Sequence, residues 1–192
     1  MATARGIVAP GLDPAQVRGV DPAQPVASLA AYTEAGGGRG LDAARRVEPQ
    51  AVLDVLAASG LRGRGGAGFP TATKWATVAA NRSPALASTV VVTAAEGEPG
   101  TYKDRAILAA NPFAVLEGAL VAAHVVGADT VVVATKASFV DELALLRSAV
   151  TEVRTAGWCD DVRVEVVEGP GHYLFGEETG LLEVVAGRLP FP

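Results

Sequence analysis

Two runs without any polar interruption stand out along the chain, Thr89–Val–Val–Val–Thr93 and Thr130–Val–Val–Val–Ala134. β-Branched runs of this length, lacking alternation, are the pattern of parallel strands covered on both faces, and they predict two central strands. Between them, Asn111 and Pro112 supply an N-cap and a first-turn proline. Phe113, Leu116, Leu120 and Ala123 then share one face until Gly127 closes the helix. Beyond the second run, Ser138 with Asp141 three positions on predicts a capped helix, with Leu143, Leu146, Val150 and Val153 as its buried stripe and Gly157 as its end. Residues 162–167 alternate apolar and charged side chains, so this third strand is expected nearer an edge with one wet face. Upstream, Val52, Leu53, Leu56 and Ala57 recur at helical spacing from Pro49, and Gly60 sits where a left-handed cap would end that helix.

Right-handed strand–helix–strand units place every strand's carboxyl end on one rim, where open α/β sheets bind ligands. The predicted architecture is therefore α/β, a Rossmann-like parallel sheet flanked by helices, over residues 49–192. Residues 1–48 carry Pro10, Pro14, Pro22, Pro25 and a Gly36–Gly37–Gly38 run without sustained period, and are expected to form an irregular N-terminal arm.

Composition narrows the function. Hydrophobic residues make up 49% of the 192 but aromatics only 5%, so the core must be Ala, Val and Leu. A net charge of −5 argues against a nucleic-acid partner, which would require a basic face. A single cysteine, Cys159, excludes an internal disulfide and an all-cysteine metal or cluster site within these residues. No apolar run follows a basic start, which leads to an expected cytoplasmic location. The apolar stretch 115–134 contains Glu117, His124, Gly127 and Asp129, so it divides into a helix and a strand and is not expected to span a membrane.

Candidate chemistry sits in three places. The segment 60–75 reads Gly–Leu–Arg–Gly–Arg–Gly–Gly–Ala–Gly–Phe–Pro–Thr–Ala–Thr–Lys–Trp, with five glycines in its first nine positions. Glycine loses much backbone entropy on ordering, so such a run is expected where another molecule touches the main chain. The literal Gly63-x-Gly65-x-x-Gly68 matches a dinucleotide fingerprint, but it follows a helix instead of a strand. Lys74 also lies too far from Gly68 for a phosphate-binding P-loop.

The other two places are acidic loops after the first and third strands, Glu96–Gly–Glu98–Pro–Gly with Lys103–Asp–Arg105, and Gly176–Glu–Glu–Thr179. Glu177 and Glu178 fall at a helix start, where negative charge is favoured. Paired carboxylates suit an acid–base couple, a divalent-metal site, or acceptors for a ligand rich in N–H and O–H groups, and a solvated acidic rim is the plain alternative. Spacing does not choose among them, although the two histidines are poorly placed to complete a metal site.

The order and spacing of these three motifs resembles the FMN- and NADH-binding region of the NADH-oxidising flavoprotein subunit of respiratory complex I. That family is shared with NAD-linked hydrogenase and formate dehydrogenase subunits, and the likeness spans about residues 50–188. The resemblance implies FMN against the glycine loop, NADH stacked above it, hydride transfer to the flavin, and electrons leaving through an iron–sulfur cluster. Carried over by position, FMN contacts would come from Gly63, Gly65, Gly66, Lys74, Thr93, Glu96, Gly176 and Glu177. The NADH-facing residues would be Phe69, against the adenine, with Glu98 and Glu178. No catalytic residue is implied, because the cofactors carry the chemistry.

The family's polar pair at two flavin-facing positions is replaced here by Thr93 and Ala95. Its later segments, including a bundle with four cluster-binding cysteines, have no counterpart in these residues, so the cluster and further redox subunits are expected as partners outside them. Two other classes stay open. One is a degenerate nucleotide-binding or scaffold module without stable flavin; the other, weaker, is an acid–base hydrolase using Glu96 and Glu98.

Overall fold

The computed structural model describes residues 25–63 and 67–191. Expectations for residues 1–24, and for Arg64, Gly65 and Gly66 in the glycine loop, lie outside the described residues.

Among the described residues three parallel strands form the sheet: β1 (Thr89–Ala94), β2 (Thr130–Lys136) and β3 (Arg163–Gly169), in spatial order β1-β2-β3. Thr89 pairs with Thr130 and Val131 with Val164, so the carboxyl ends share one rim. Every residue of β2 is buried, as its unbroken run requires. Its side chains divide by the two-residue period of a strand. Val131 and Val133 enter the main core with Leu116, Leu120 and Leu146, whereas Val132 and Ala134 pack with Phe175 and Leu181 on the opposite face.

Among the described residues only β2 is central. β1, expected there too, pairs there with β2 alone, and its three valines are half-buried. Its apolar run reflects cover on its faces and says nothing about its edges. β3 is the other edge, and its charged residues are paired along it, Arg163 with Glu165 at 2.9 Å.

The helices α3 (Pro49–Ser59) and α6 (Pro112–Val126) begin and end as their local sequences require. Gly60 has φ 66° and Gly127 φ 64°, and Asn111 Oδ1 accepts from the Ala114 N–H at 3.0 Å. Between these two lie α4 (Thr71–Ala80) and α5 (Lys103–Ala110), and after them α7 (Val140–Thr155) and α8 (Glu178–Val185). The start of α7 differs from expectation, since Phe139 is its N-cap and no side chain caps it. The Phe139 N–H turns back to the Lys136 carbonyl at 2.9 Å, leaving Ser138 exposed, while Asp141 and Glu142 meet the helix dipole.

The expected arm is corrected within 25–48. Residues here form α1 (Leu29–Glu34) and α2 (Arg39–Arg45), with Leu29, Tyr32 and Leu41 in the main core. Two carboxylates of distant helices hold them. Glu117, buried on the otherwise apolar α6, accepts from Tyr32 Oη at 2.6 Å, Gly38 N at 2.8 Å and Leu41 N at 3.0 Å. Glu152 of α7 accepts from Leu29 N at 2.7 Å. Burial, and then the bond to Glu117, push the Tyr32 hydroxyl far above its ordinary pKa. α6 thus lies between the sheet and an outer layer of α2, α3 and α4. No single described helix is long and apolar enough to cross a membrane.

Candidate functional site

The glycine loop is a closed excursion between α3 and α4. Its stem is held by Gly63 N to Phe69 O at 2.9 Å, Thr71 N to Leu61 O at 3.0 Å, and Arg62 Nη1 to Gly68 O at 3.0 Å. A helix precedes it, so the dinucleotide fingerprint is excluded by structure as well as by pattern. At its shoulder Phe69 is 54% exposed, although it is an aromatic ring in a chain with few of them. Lys74, exposed in the first turns of α4, has no side-chain partner among the described residues.

The two acidic loops meet at the carboxyl rim of the sheet. A Cβ on Gly176 would stand 2.6 Å from the Ala95 carbonyl and 3.4 Å from Gly97 N, so only glycine allows the third-strand loop to rest against the first. Gly97 faces the Tyr173 carbonyl with similarly little room. Ala95, at 0% exposure, places its methyl against Phe175 and Leu181. Position 95 therefore serves an apolar contact, and the expected loss of a ligand-facing polar group there does not match where its side chain lies.

The four loop carboxylates separate into two kinds. Glu96 is enclosed, accepting from Asp104 N at 3.0 Å and Arg105 Nε at 3.1 Å, while its own N–H donates to Asp104 Oδ2 at 3.1 Å. These bonds tie the loop to the N-terminus of α5. Burial would raise the Glu96 pKa, but the Asp104 N–H and the Arg105 guanidinium outweigh it and hold the carboxyl below its ordinary range. Arg105 is itself clamped between the rings of Tyr102 and Phe139, at 4.7 and 4.9 Å.

Glu177 is the N-cap of α8, accepting from Thr179 Oγ1 at 2.8 Å and Thr179 N at 3.2 Å. The Thr179 hydroxyl bond leads in lowering its pKa. Glu98 and Glu178, by contrast, are exposed and have no side-chain partner among the described residues. Thr93 is exposed near the carboxyl end of β1, on the same rim. The structure thus brings the two acidic loops together. No hydrogen bond among the described residues joins either loop to the glycine loop.

One residue at this rim escaped the sequence reading. Lys136 ends the central strand, is 6% exposed, and has no ion pair or side-chain hydrogen bond among the described residues. Its one signal in the sequence is a cation terminating an otherwise apolar strand on the ligand rim. Elsewhere, no three His, Cys, Asp or Glu side chains among the described residues converge as a metal site would require.

Comparison with known proteins decides the lineage. The family model described as the Nuo51 FMN-binding domain matches residues 56–192. The chain belongs to this family. An NADH-quinone oxidoreductase subunit of Aquifex aeolicus is 33% identical over 175 residues, covering 87% of this chain and 40% of that one. The corresponding NADH-quinone oxidoreductase subunit of Rhodobacter capsulatus is 39% identical over 149 residues, 73% of this chain and 34% of the relative. Among solved structures, an NAD+-reducing [NiFe]-hydrogenase in the H2-reduced state superposes with a TM-score of 0.72 at 33% identity, over 88% of this chain and 29% of that one. The chain spans about 40% of the length of the first of these curated relatives. In this Nuo51-type domain, then, the parallel sheet and the motifs resembling the complex I flavoprotein subunit belong together.

The groups present fit the chemistry of a flavin nucleotide. Among the described residues, Lys74 and Lys136 are cations without acceptors, Glu98 and Glu178 are acceptors without donors, and Phe69 offers an open aromatic face.

Proposed function

We propose that this chain is the FMN- and NADH-binding part of an NADH-oxidising redox subunit. When bound, FMN would supply hydride acceptance from NADH and one-electron release to an iron–sulfur cluster carried outside these residues. The chain's own task is to bind, orient and exclude water.

On the flavin side, Gly63, Gly65 and Gly66 let the main chain approach the cofactor, and Lys74 offers a cation to its phosphate or polar tail. Thr93, Gly176 and the lone pairs that structural bonds leave to Glu96 and Glu177 complete that side. On the NADH side, Phe69 stacks on the adenine, and Glu98 and Glu178 accept from ribose hydroxyls or the carboxamide. The observation that carries this reading is that Glu98 and Glu178 are solvent-facing and unpaired among the described residues, on loops whose other carboxylates are consumed in holding them.

Redox subunits bearing iron–sulfur clusters are the expected partners, and any membrane association would be peripheral and pass through them. Anaerobic titration tests the reading. FMN fluorescence should quench on binding the 192-residue chain, and NADH should then bleach the flavin absorbance. A chain that stays colourless in saturating FMN sinks it and favours a module that has lost the cofactor.

A further inference from the structure

Among the described residues, Lys136 is the one cation buried in the sheet region without a counter-charge. A lysine stem lies easily along apolar surface, but an ammonium withdrawn from water is costly unless something negative or strongly accepting completes it. Among the described residues nothing does, since no carboxylate lies within ion-pair distance and no acceptor is bonded. Phe139 is the nearest aromatic, its ring centroid 6.0 Å from Nζ, at the outer limit of a cation–π contact. The neighbouring carboxylate Glu96 is already taken by Arg105 and the start of α5.

The ammonium is fixed in place by its neighbours at the rim. Gly97 packs closely beside it, since a Cβ there would stand 3.4 Å from Nζ and 3.2 Å from the Tyr173 carbonyl. The ammonium therefore lies at the junction of the two acidic loops, at the carboxyl end of the central strand. Parallel sheets collect anionic ligands at this rim.

We propose that Lys136 is an anion-binding group of the nucleotide site, its ammonium taking a phosphate oxygen of the bound flavin nucleotide. The proposal rests on the flavin-nucleotide reading above. It adds a second phosphate-directed cation, on the sheet, to Lys74 at the glycine loop.

The test compares FMN with riboflavin, which lacks the phosphate, by fluorescence quenching on the wild-type chain, Lys136→Met and Lys136→Arg. Lys136→Met should weaken FMN binding tenfold or more, leave riboflavin binding within twofold, and melt no lower than wild type, because the replacement removes a buried unpaired charge. Lys136→Arg should recover part of the FMN affinity. Lysine acetylation read by mass spectrometry gives an independent measure, with FMN protecting Lys136 in the wild-type chain and riboflavin not. Equal FMN affinity in wild type and Lys136→Met overturns the proposal while leaving the functional reading intact. So does a parallel loss for riboflavin, which would mean that the charge meets the ring. A wild-type chain that binds no FMN overturns both.

Discussion

The glycine loop and the acidic junction are both built around glycine, for opposite physical reasons. At the loop, a Cβ on Gly60 or Gly68 would meet nothing within 4 Å, and both residues have positive φ. At the junction, Gly97 and Gly176 have ordinary backbone conformations, but the space for a side chain is occupied by another main chain. One region uses glycine to turn an open backbone outward, and the other uses it to seal two loops together. The difference teaches that glycine content alone does not locate a ligand. An open glycine marks backbone that a ligand can reach, and a crowded one marks a joint that keeps ligand-facing groups in register.

The comparison can be broken most directly at the joint. Gly176→Ala should lower stability by about 1–3 kcal/mol, because its methyl would press on a carbonyl that cannot move aside. Chemical denaturation measures it, and an unchanged midpoint would show that the loops are not locked at this point. Next comes Glu96→Gln, expected to cost about 1–3 kcal/mol through the loss of a charge-assisted bond to Arg105. The sign of its pH dependence follows from the lowered folded pKa. The stability Glu96 adds is fully present above the ordinary value of 4.5, and is lost as pH falls through the depressed folded value. Denaturation curves across that acid range should therefore be flatter for Glu96→Gln than for wild type.

On the open side the effects move from stability to binding. Phe69→Ala should weaken NADH binding by about tenfold at most, on the order of one aromatic stack, with FMN binding and melting unchanged. Calorimetry with each nucleotide separates the two. The smallest change is Gly68→Ala, about 1 kcal/mol of backbone strain from its φ of 59° without any clash. A cost well above that of Gly176→Ala would erase the distinction between open and crowded glycines.

What could be read in the sequence was whatever its neighbours within four residues determine. α6 carried its caps at both ends, α3 its closing glycine, and β2 its unbroken apolar run. The glycine loop and both acidic motifs were visible as clusters. α1 and α2 were not legible, being six and seven residues long and separated by a glycine run. Their order comes from Glu117 and Glu152, 76 to 123 positions away. The division of the carboxylates was hidden for a similar reason. Glu96 and Glu98 are two residues apart and chemically alike, and only the arrival of α5 decides which is consumed. Lys136 was missed because a lysine at a strand end ordinarily turns to water, and its burial depends on Gly97 and Tyr173 folding over it.

The Glu117 carboxylate has a consequence for how the molecule can be cut and in what order it assembles. A chain begun at Pro49 would keep α6 but lose all three donors from residues 32–41, leaving a negative charge facing apolar surface. The apparent linker before Pro49 is therefore not expendable. The contacts closing onto Glu117 also span some eighty residues, so docking α1 and α2 closes a long stretch of chain and is expected to follow the formation of α6.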